Sequence, residues 1–206
     1  MSSILSQVLH KVLAYAGQDN FKAELELAKQ KFFNPVGIPG ENGTTTESEL
    51  ANFIEWFVFE WPLPGEVKIY EKYLKEESKS LDAIELEFLK SFESQNYSIF
   101  QIKKFKPPTA KIRELVSKQK YREVYGLPPA LQAGDFILGR LLNVNDQYFF
   151  SEALLYLPRN LAKYLERRAK MVRTGKLERG NFLEELKVIA VKSARYPRMR
   201  LEELYK

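Results

Sequence analysis

Apolar residues recur at helical spacing at the start of the chain. Ile4, Leu5, Val8, Leu9, Val12, Leu13 and Ala16 predict an amphipathic helix that Gly17 ends. A second helix is predicted over residues 19–33, with Asp19 as cap and Phe21, Leu25, Ala28 and Phe32 inward. The stretch "NPVGIPGENGTTT", residues 34–46, reads as a loop. Thr46 and Glu49 form a T-x-x-E capping box, and the helix they open stops at Pro62. Leu50, Phe53, Ile54, Phe57 and Trp61 share one face of it, and Trp56, Phe59 and Leu63 widen the apolar surface. Such a helix is expected to be buried on more than one side. A helix over residues 66–77 carries Ile69, Tyr73 and Leu74. Another, capped by Ser80, turns Leu81, Ile84, Phe88 and Phe92 inward.

The period changes at Tyr97. "YSIFQIKKF" alternates as a strand does, and "KPP" turns it. "KIRELVSKQKYREVYG" fits one helix or two strands around Lys118 and Gln119. Tyr121, Val124 and Tyr125 favour strands. Ala133-Gly134-Asp135 is a turn, residues 136–143 a strand, Asn145-Asp146 a turn, and residues 147–155 a strand. After Pro158 the helical period returns through Leu161, Tyr164, Leu165, Met171 and Val172. Phe182, Leu186, Ile189 and Ala190 mark a last helix, and the end, "SARYPRMRLEELYK", is expected to be ordered only by packing or a partner. The expected fold is α+β: a helical domain at 1–95, a small curled antiparallel sheet or partial barrel at 96–158, and a basic helical tail at 159–206.

Composition narrows the chemistry. The chain has no cysteine and one histidine, His10, which excludes disulfides, thiolate metal sites and histidine clusters. Its N-terminus lacks the pattern of a signal peptide, and no apolar run is long enough to span a bilayer. A cytoplasmic protein that engages no membrane is the expectation. There is no P-loop and no G-x-G-x-x-G. "GIPGENG" has the glycines of a phosphate loop but lacks its Lys and Ser/Thr. No serine, histidine and acid combination can be argued, and no cofactor is expected.

Two groups of charged residues stand out. Glu55 and Glu60 lie in the aromatic helix, and Arg140 shares a strand face with Phe136, Leu138 and Leu142. A buried carboxylate needs a partner, so a salt bridge from Glu55 or Glu60 to Arg140 is expected to join helix and sheet. Five residues apart, the two glutamates point about 140° from each other on a helix, which makes them a poor catalytic pair.

The second group is the tail. Residues 159–206 carry 14 Lys and Arg against 6 Asp and Glu. Arg159, Lys163, Arg167 and Lys170 form a basic stripe, extended by Arg168, Arg173, Lys176 and Arg179, with Tyr156, Tyr164 and Tyr196 as nearby aromatics. This favours a non-enzymatic binding protein that contacts nucleic acid, a ribonucleoprotein or an acidic protein surface. The alternative is a protein–protein adaptor that uses the aromatic surface near Trp56 and Trp61. The oligomeric state is left open.

"FIEWFVFEWPLP", "IYEKYL" and "LQAGDFILGRLLNVNDQYFF" together resemble motifs of an uncharacterised bacterial protein family. The resemblance spans about residues 50–157 and implies Gly134, Asp135, Arg140 and Leu141 as signature positions. Some members of that family carry a cysteine-rich SEC-C zinc-binding tail, which this cysteine-free chain lacks.

Overall fold

The computed structural model describes residues 2–37 and 46–198. Most of the loop expected at 34–46, and the end of the chain beyond 198, lie outside the described residues. Five helices come first: α1 (Ser2–Ala16), α2 (Lys22–Phe33), α3 (Glu47–Phe59), α4 (Ile69–Glu77) and α5 (Ala83–Ser91). Six strands follow: β1 (Asn96–Lys106), β2 (Thr109–Glu114), β3 (Lys120–Tyr125), β4 (Phe136–Val144), β5 (Gln147–Phe150) and β6 (Leu155–Leu157). The described chain ends with α6 (Ala162–Arg173) and α7 (Arg179–Arg195).

Local chemistry starts the helices, in places not where the sequence alone put it. The Thr46 side chain accepts from the Glu49 amide, as expected of a cap. The Glu49 carboxylate does not reach back to complete a box; it is buried and paired with Arg195. Asp82, not Ser80, caps α5: it accepts from Ile84 and Glu85, while Glu85 answers from its own side chain. Asp19 caps nothing, because residues 19–21 form a 3-10 turn ahead of α2.

Helix α3 packs on α1, α2 and α4 and touches β6. Its buried stripe differs from the expected one. Leu50 and Ile54 are 42% and 36% exposed, whereas Glu49, Asn52 and Glu55 are buried. Apolar spacing could not reveal this, since the inward carboxylates are accommodated by arginines from distant elements. At the end of α3, Phe59 stacks on Phe92 with centroids 3.9 Å apart.

The sheet closes on itself. Its six strands run in the order β1-β2-β3-β5-β4-β6, and β4 pairs back to β1 along Asn96–Gln101 and Phe136–Leu141, so the first five in that order close a barrel. Phe100, Ile102, Ile112, Val124, Ile137, Leu141 and Phe150 fill the interior. The sheet is mixed, which corrects the expectation of an antiparallel one: β3 and β5 run parallel. The link from β3 to β4 carries the chain across the barrel, so β5 returns alongside β3 in the same direction. The strand expected over 147–155 is two strands, β5 and β6, both lying along one edge of β4. Between them Leu154 lies over Gly139. A Cβ on Gly139 would sit 2.5 Å from the Leu154 Cδ2, so any larger residue there must displace that side chain.

Helices α6 and α7 cover the barrel's other side. Leu165, Ala169, Phe182, Leu186 and Ile189 pack with Ile99, Leu115, Phe136 and Leu138 in one buried cluster. Strand β4 is therefore buried on both faces, toward the barrel interior and toward the helices.

Candidate nucleic-acid interface

The two charged groups singled out in the sequence occupy different environments. Arg140 projects from β4 toward the helices, and its guanidinium meets both glutamates. Glu55 lies 3.2 Å away, and Glu60 and Gln95 accept hydrogen bonds. The two glutamates converge because α3 ends at Phe59. Glu60 has left helical geometry and swings back toward the sheet. The Tyr97 ring lies 4.8 Å beneath the guanidinium. Burial pushes the Glu55 carboxyl above its usual range, against the pull of Arg140. Burial also raises the Tyr97 phenol.

A cavity of about 120 Å³ opens beside this network, lined by Asn52, Trp56, Glu60, Tyr97, Glu184 and Lys187. Lys187 is buried, pairs with Glu184 at 2.6 Å and lies 4.0 Å over the Phe32 ring. Desolvation lowers its pKa. Each cation here has a carboxylate neighbour, so the cluster joins helices to sheet through buried charge pairs. Among the described residues no group of three or more His, Asp or Glu side chains could hold a metal ion.

The tryptophans are half-buried. Trp56 packs between Phe32 and Trp61, both 5.4 Å away. The Trp61 indole donates to Glu24 at 2.9 Å, and the Lys31 ammonium covers its ring at 5.5 Å.

The basic stripe of α6 divides in two. Lys163, Arg167 and Lys170 are exposed. Arg167 lies over the Tyr164 ring at 5.8 Å. Arg159 instead donates to Asp135 and Gln132, and Arg173 donates to the carbonyls of Leu115 and Val116 at 2.7 and 3.3 Å. Arg168 pairs with Glu185, and Arg179 donates to Asn96 and the Tyr97 carbonyl. These four arginines tie the C-terminal helices together and to the barrel, whereas Lys163, Arg167 and Lys170 on α6 pair with no acid among the described residues.

The larger basic surface is one the sequence reading missed. Residues 96–125 hold eight Lys and Arg against two acids, whereas residues 1–95 hold nine against sixteen. Averaged together, the two segments conceal each other. The strand register places the cations on one face. Lys104 lies opposite Lys111, Gln101 opposite Arg113, and Arg113 opposite Lys120. Directly paired residues project to the same side of a sheet. Their neighbours in sequence, Ile102, Ile112 and Tyr121, point into the barrel. Lys104, Lys106, Lys111, Lys120 and Arg122 are exposed. Counting charge strand by strand, with the alternation already visible in "YSIFQIKKF", would have found this face.

The sheet face and α6 adjoin. Arg113 on β2 pairs with Glu166 on α6, and Arg173 is anchored on the loop after β2. Lys163, Glu166, Lys170 and Arg173 are spaced 3, 4 and 3 apart, so they share the side of α6 that looks toward β2. The basic surface therefore runs from the β1–β2–β3 face across Arg113 onto Lys163 and Lys170.

A family model matches residues 21–181; it describes a family of unknown function (DUF7986). The matched span contains the whole barrel and α6. No curated protein and no solved structure matches the chain.

Proposed function

The chain belongs to that family of unknown function, and from this premise we propose that it is a nucleic-acid-binding protein whose contact surface is the outer face of β1–β3 together with α6. One observation carries the reading. Lys104 faces Lys111 and Arg113 faces Lys120 in directly opposed sheet positions. Like charges so placed destabilise a sheet. Among the described residues, Glu166 pairs with Arg113, and Lys104, Lys111 and Lys120 pair with no acid. A polyanion laid across the face neutralises the rest and releases its own counterions, which makes such binding favourable and salt-dependent. The barrel's architecture agrees by analogy. A five-stranded barrel in the order β1-β2-β3-β5-β4 resembles the oligonucleotide/oligosaccharide-binding fold, in which the second and third strands present the ligand face. The segment between β3 and β4 has no helix here.

The test is fluorescence anisotropy with labelled single-stranded RNA and duplex DNA at about 50 and 200 mM salt. Wild type is compared with Lys111→Glu/Lys120→Glu on the sheet and Lys163→Glu/Lys170→Glu on α6. Wild-type binding that weakens steeply with salt, and that each double variant lowers by about tenfold or more, is the expected result. No wild-type binding, or charge-reversed variants that bind as wild type does, would overturn it.

A further inference from the structure

We infer that the end of the barrel next to the basic face holds a pocket for one unpaired nucleobase, so that the ligand is a single strand. This deepens the nucleic-acid reading and rests on it for the strand's backbone, though not for the base itself. A pocket of about 200 Å³ opens between the starts of β1, β3 and β5 and the end of β4. Asn96, Gln119, Tyr121, Asn143 and Tyr148 supply its working groups. None of these side chains is charged. That lining suits a neutral, planar, hydrogen-bonding ring better than a phosphate or a metal ion.

Each group has a position consistent with that task. Tyr148, half-buried, meets the buried Tyr121 edge to face with centroids 4.9 Å apart, so its ring is backed by Tyr121 and offers a face against which a base can pack. Asn143 is the direct strand partner of Tyr148, so its amide projects on the same side of the sheet. The side-chain amides of Gln119 and Asn143 are exposed and make no hydrogen bond to the described residues. Each offers a donor and an acceptor, the pattern that reads a base edge. Asn96 is held in place. Arg179 donates to its Oδ1 at 2.8 Å, and its Nδ2 donates to the Tyr121 hydroxyl at 3.4 Å.

The pocket also sits where a strand would pass. Gln119 lies between Lys118 and Lys120, both exposed, and Lys120 belongs to the basic sheet face. A backbone crossing that face brings a base to the mouth while its flanking phosphates stay on the lysines. A pocket of this volume has room for one base, which suits a strand whose bases are unstacked.

Two measurements on the full chain test this. The first is anisotropy with labelled RNA 12-mers of single base composition, against a 12-mer of the same backbone that is abasic throughout. Wild type is expected to bind at least one base-bearing strand about tenfold more tightly than the abasic one. Asn143→Ala and Gln119→Ala, both at exposed positions, should reduce that ratio while leaving affinity for the abasic strand and the melting temperature unchanged. Equal binding of both strands by wild type, or variants that keep the full ratio, would overturn the inference. The second is saturation-transfer NMR with free adenosine, guanosine, cytidine and uridine, which needs no phosphate contact. Transfer to a nucleoside that Asn143→Ala abolishes supports the pocket even if no strand binds and the surface reading fails. Absence of transfer from all four nucleosides counts against the pocket even where strands bind.

Discussion

Arg140 on β4 and Glu55 on α3 lie 3.2 Å apart with both side chains almost wholly removed from water. Eighty-five residues separate them in sequence, and their meeting fixes how the helical layer sits on the barrel. A buried pair of this kind gives little net stability over a well-packed apolar substitute, but breaking it strands a charge. Arg140→Ala leaves Glu55 without its cation and removes a partner of Glu60. It should cost about 3–5 kcal/mol in denaturant unfolding. An unchanged midpoint would mean that the network contributes nothing to holding the layers together.

Glu55 also makes a pH-dependent prediction. Burial raises its pKa in the folded protein, with Arg140 and local hydrogen bonds opposing. The folded state then holds this proton more tightly than the unfolded chain, whose value is about 4.3. The group's contribution is fully present below that unfolded value and is lost as pH rises through the folded pKa. Glu55→Gln cannot ionise, so it escapes the loss. Its stability relative to wild type should improve as pH rises above the unfolded value of about 4.3, read as the difference in urea midpoints. A variant that instead loses ground with rising pH would show that the pair with Arg140 outweighs burial.

Arg195 and Glu49 form a second buried link, between the end of α7 and the start of α3. Arg195 also donates to the Val36 and Gly37 carbonyls at 2.7 and 3.0 Å. Arg195→Ala should therefore destabilise strongly, by about 3–5 kcal/mol. Glu49→Gln/Arg195→Met should lose less than the two single variants added together. Additive losses in this double-mutant cycle would mean that the residues are neighbours without being coupled.

The sequence reading succeeded where the signal was local. Period-3.6 runs located the helices, and the alternation at Tyr97 located the change to strands. Tyr121, Val124 and Tyr125 rightly favoured β2 and β3 over a single helix. What escaped was decided by distant partners. Leu50 and Ile54 were expected inside, yet the inward places on α3 belong to Glu49 and Glu55, whose arginines come from α7 and β4. The parallel pairing of β3 with β5 depends on the path of residues 126–135, which carry no periodic signal. At the site, Lys163, Arg167 and Lys170 were legible from helical spacing. Arg159 and Arg173 carry the same spacing and turn to internal acceptors instead. The sheet cations went unread because a segment-wide charge sum merged them with the acidic helices.

Gly139 tests the packing of the barrel wall. Its missing Cβ leaves room for the Leu154 Cδ2, which would otherwise be 2.5 Å away. Gly139 lies within β4, and Leu154 directly precedes β6. Gly139→Ala should cost about 1–3 kcal/mol through overpacking. Shortening the opposing side chain in Gly139→Ala/Leu154→Val should recover part of that. Thermal melts of the three chains decide it: a double variant weaker than both singles would place the strain elsewhere.

Lys104 separates a functional charge from a structural one. It lies opposite Lys111 on the exposed sheet face and makes no ion pair with the described residues. Removing it relieves a like-charge pair, so Lys104→Gln should stabilise the fold slightly, by about 0.2–1 kcal/mol. If the face binds a single strand, the same change removes one phosphate contact. The salt dependence of binding should then flatten by about 0.7 in the slope of log affinity against log salt. A residue kept for the fold alone cannot produce both results. Substitution would then lower stability or leave binding untouched. A more stable protein that binds less tightly, with a shallower salt slope, is what a basic face maintained for a polyanion requires. Urea unfolding and anisotropy on one preparation supply both readings, and a variant that is less stable with its salt slope unchanged would assign Lys104 to the fold.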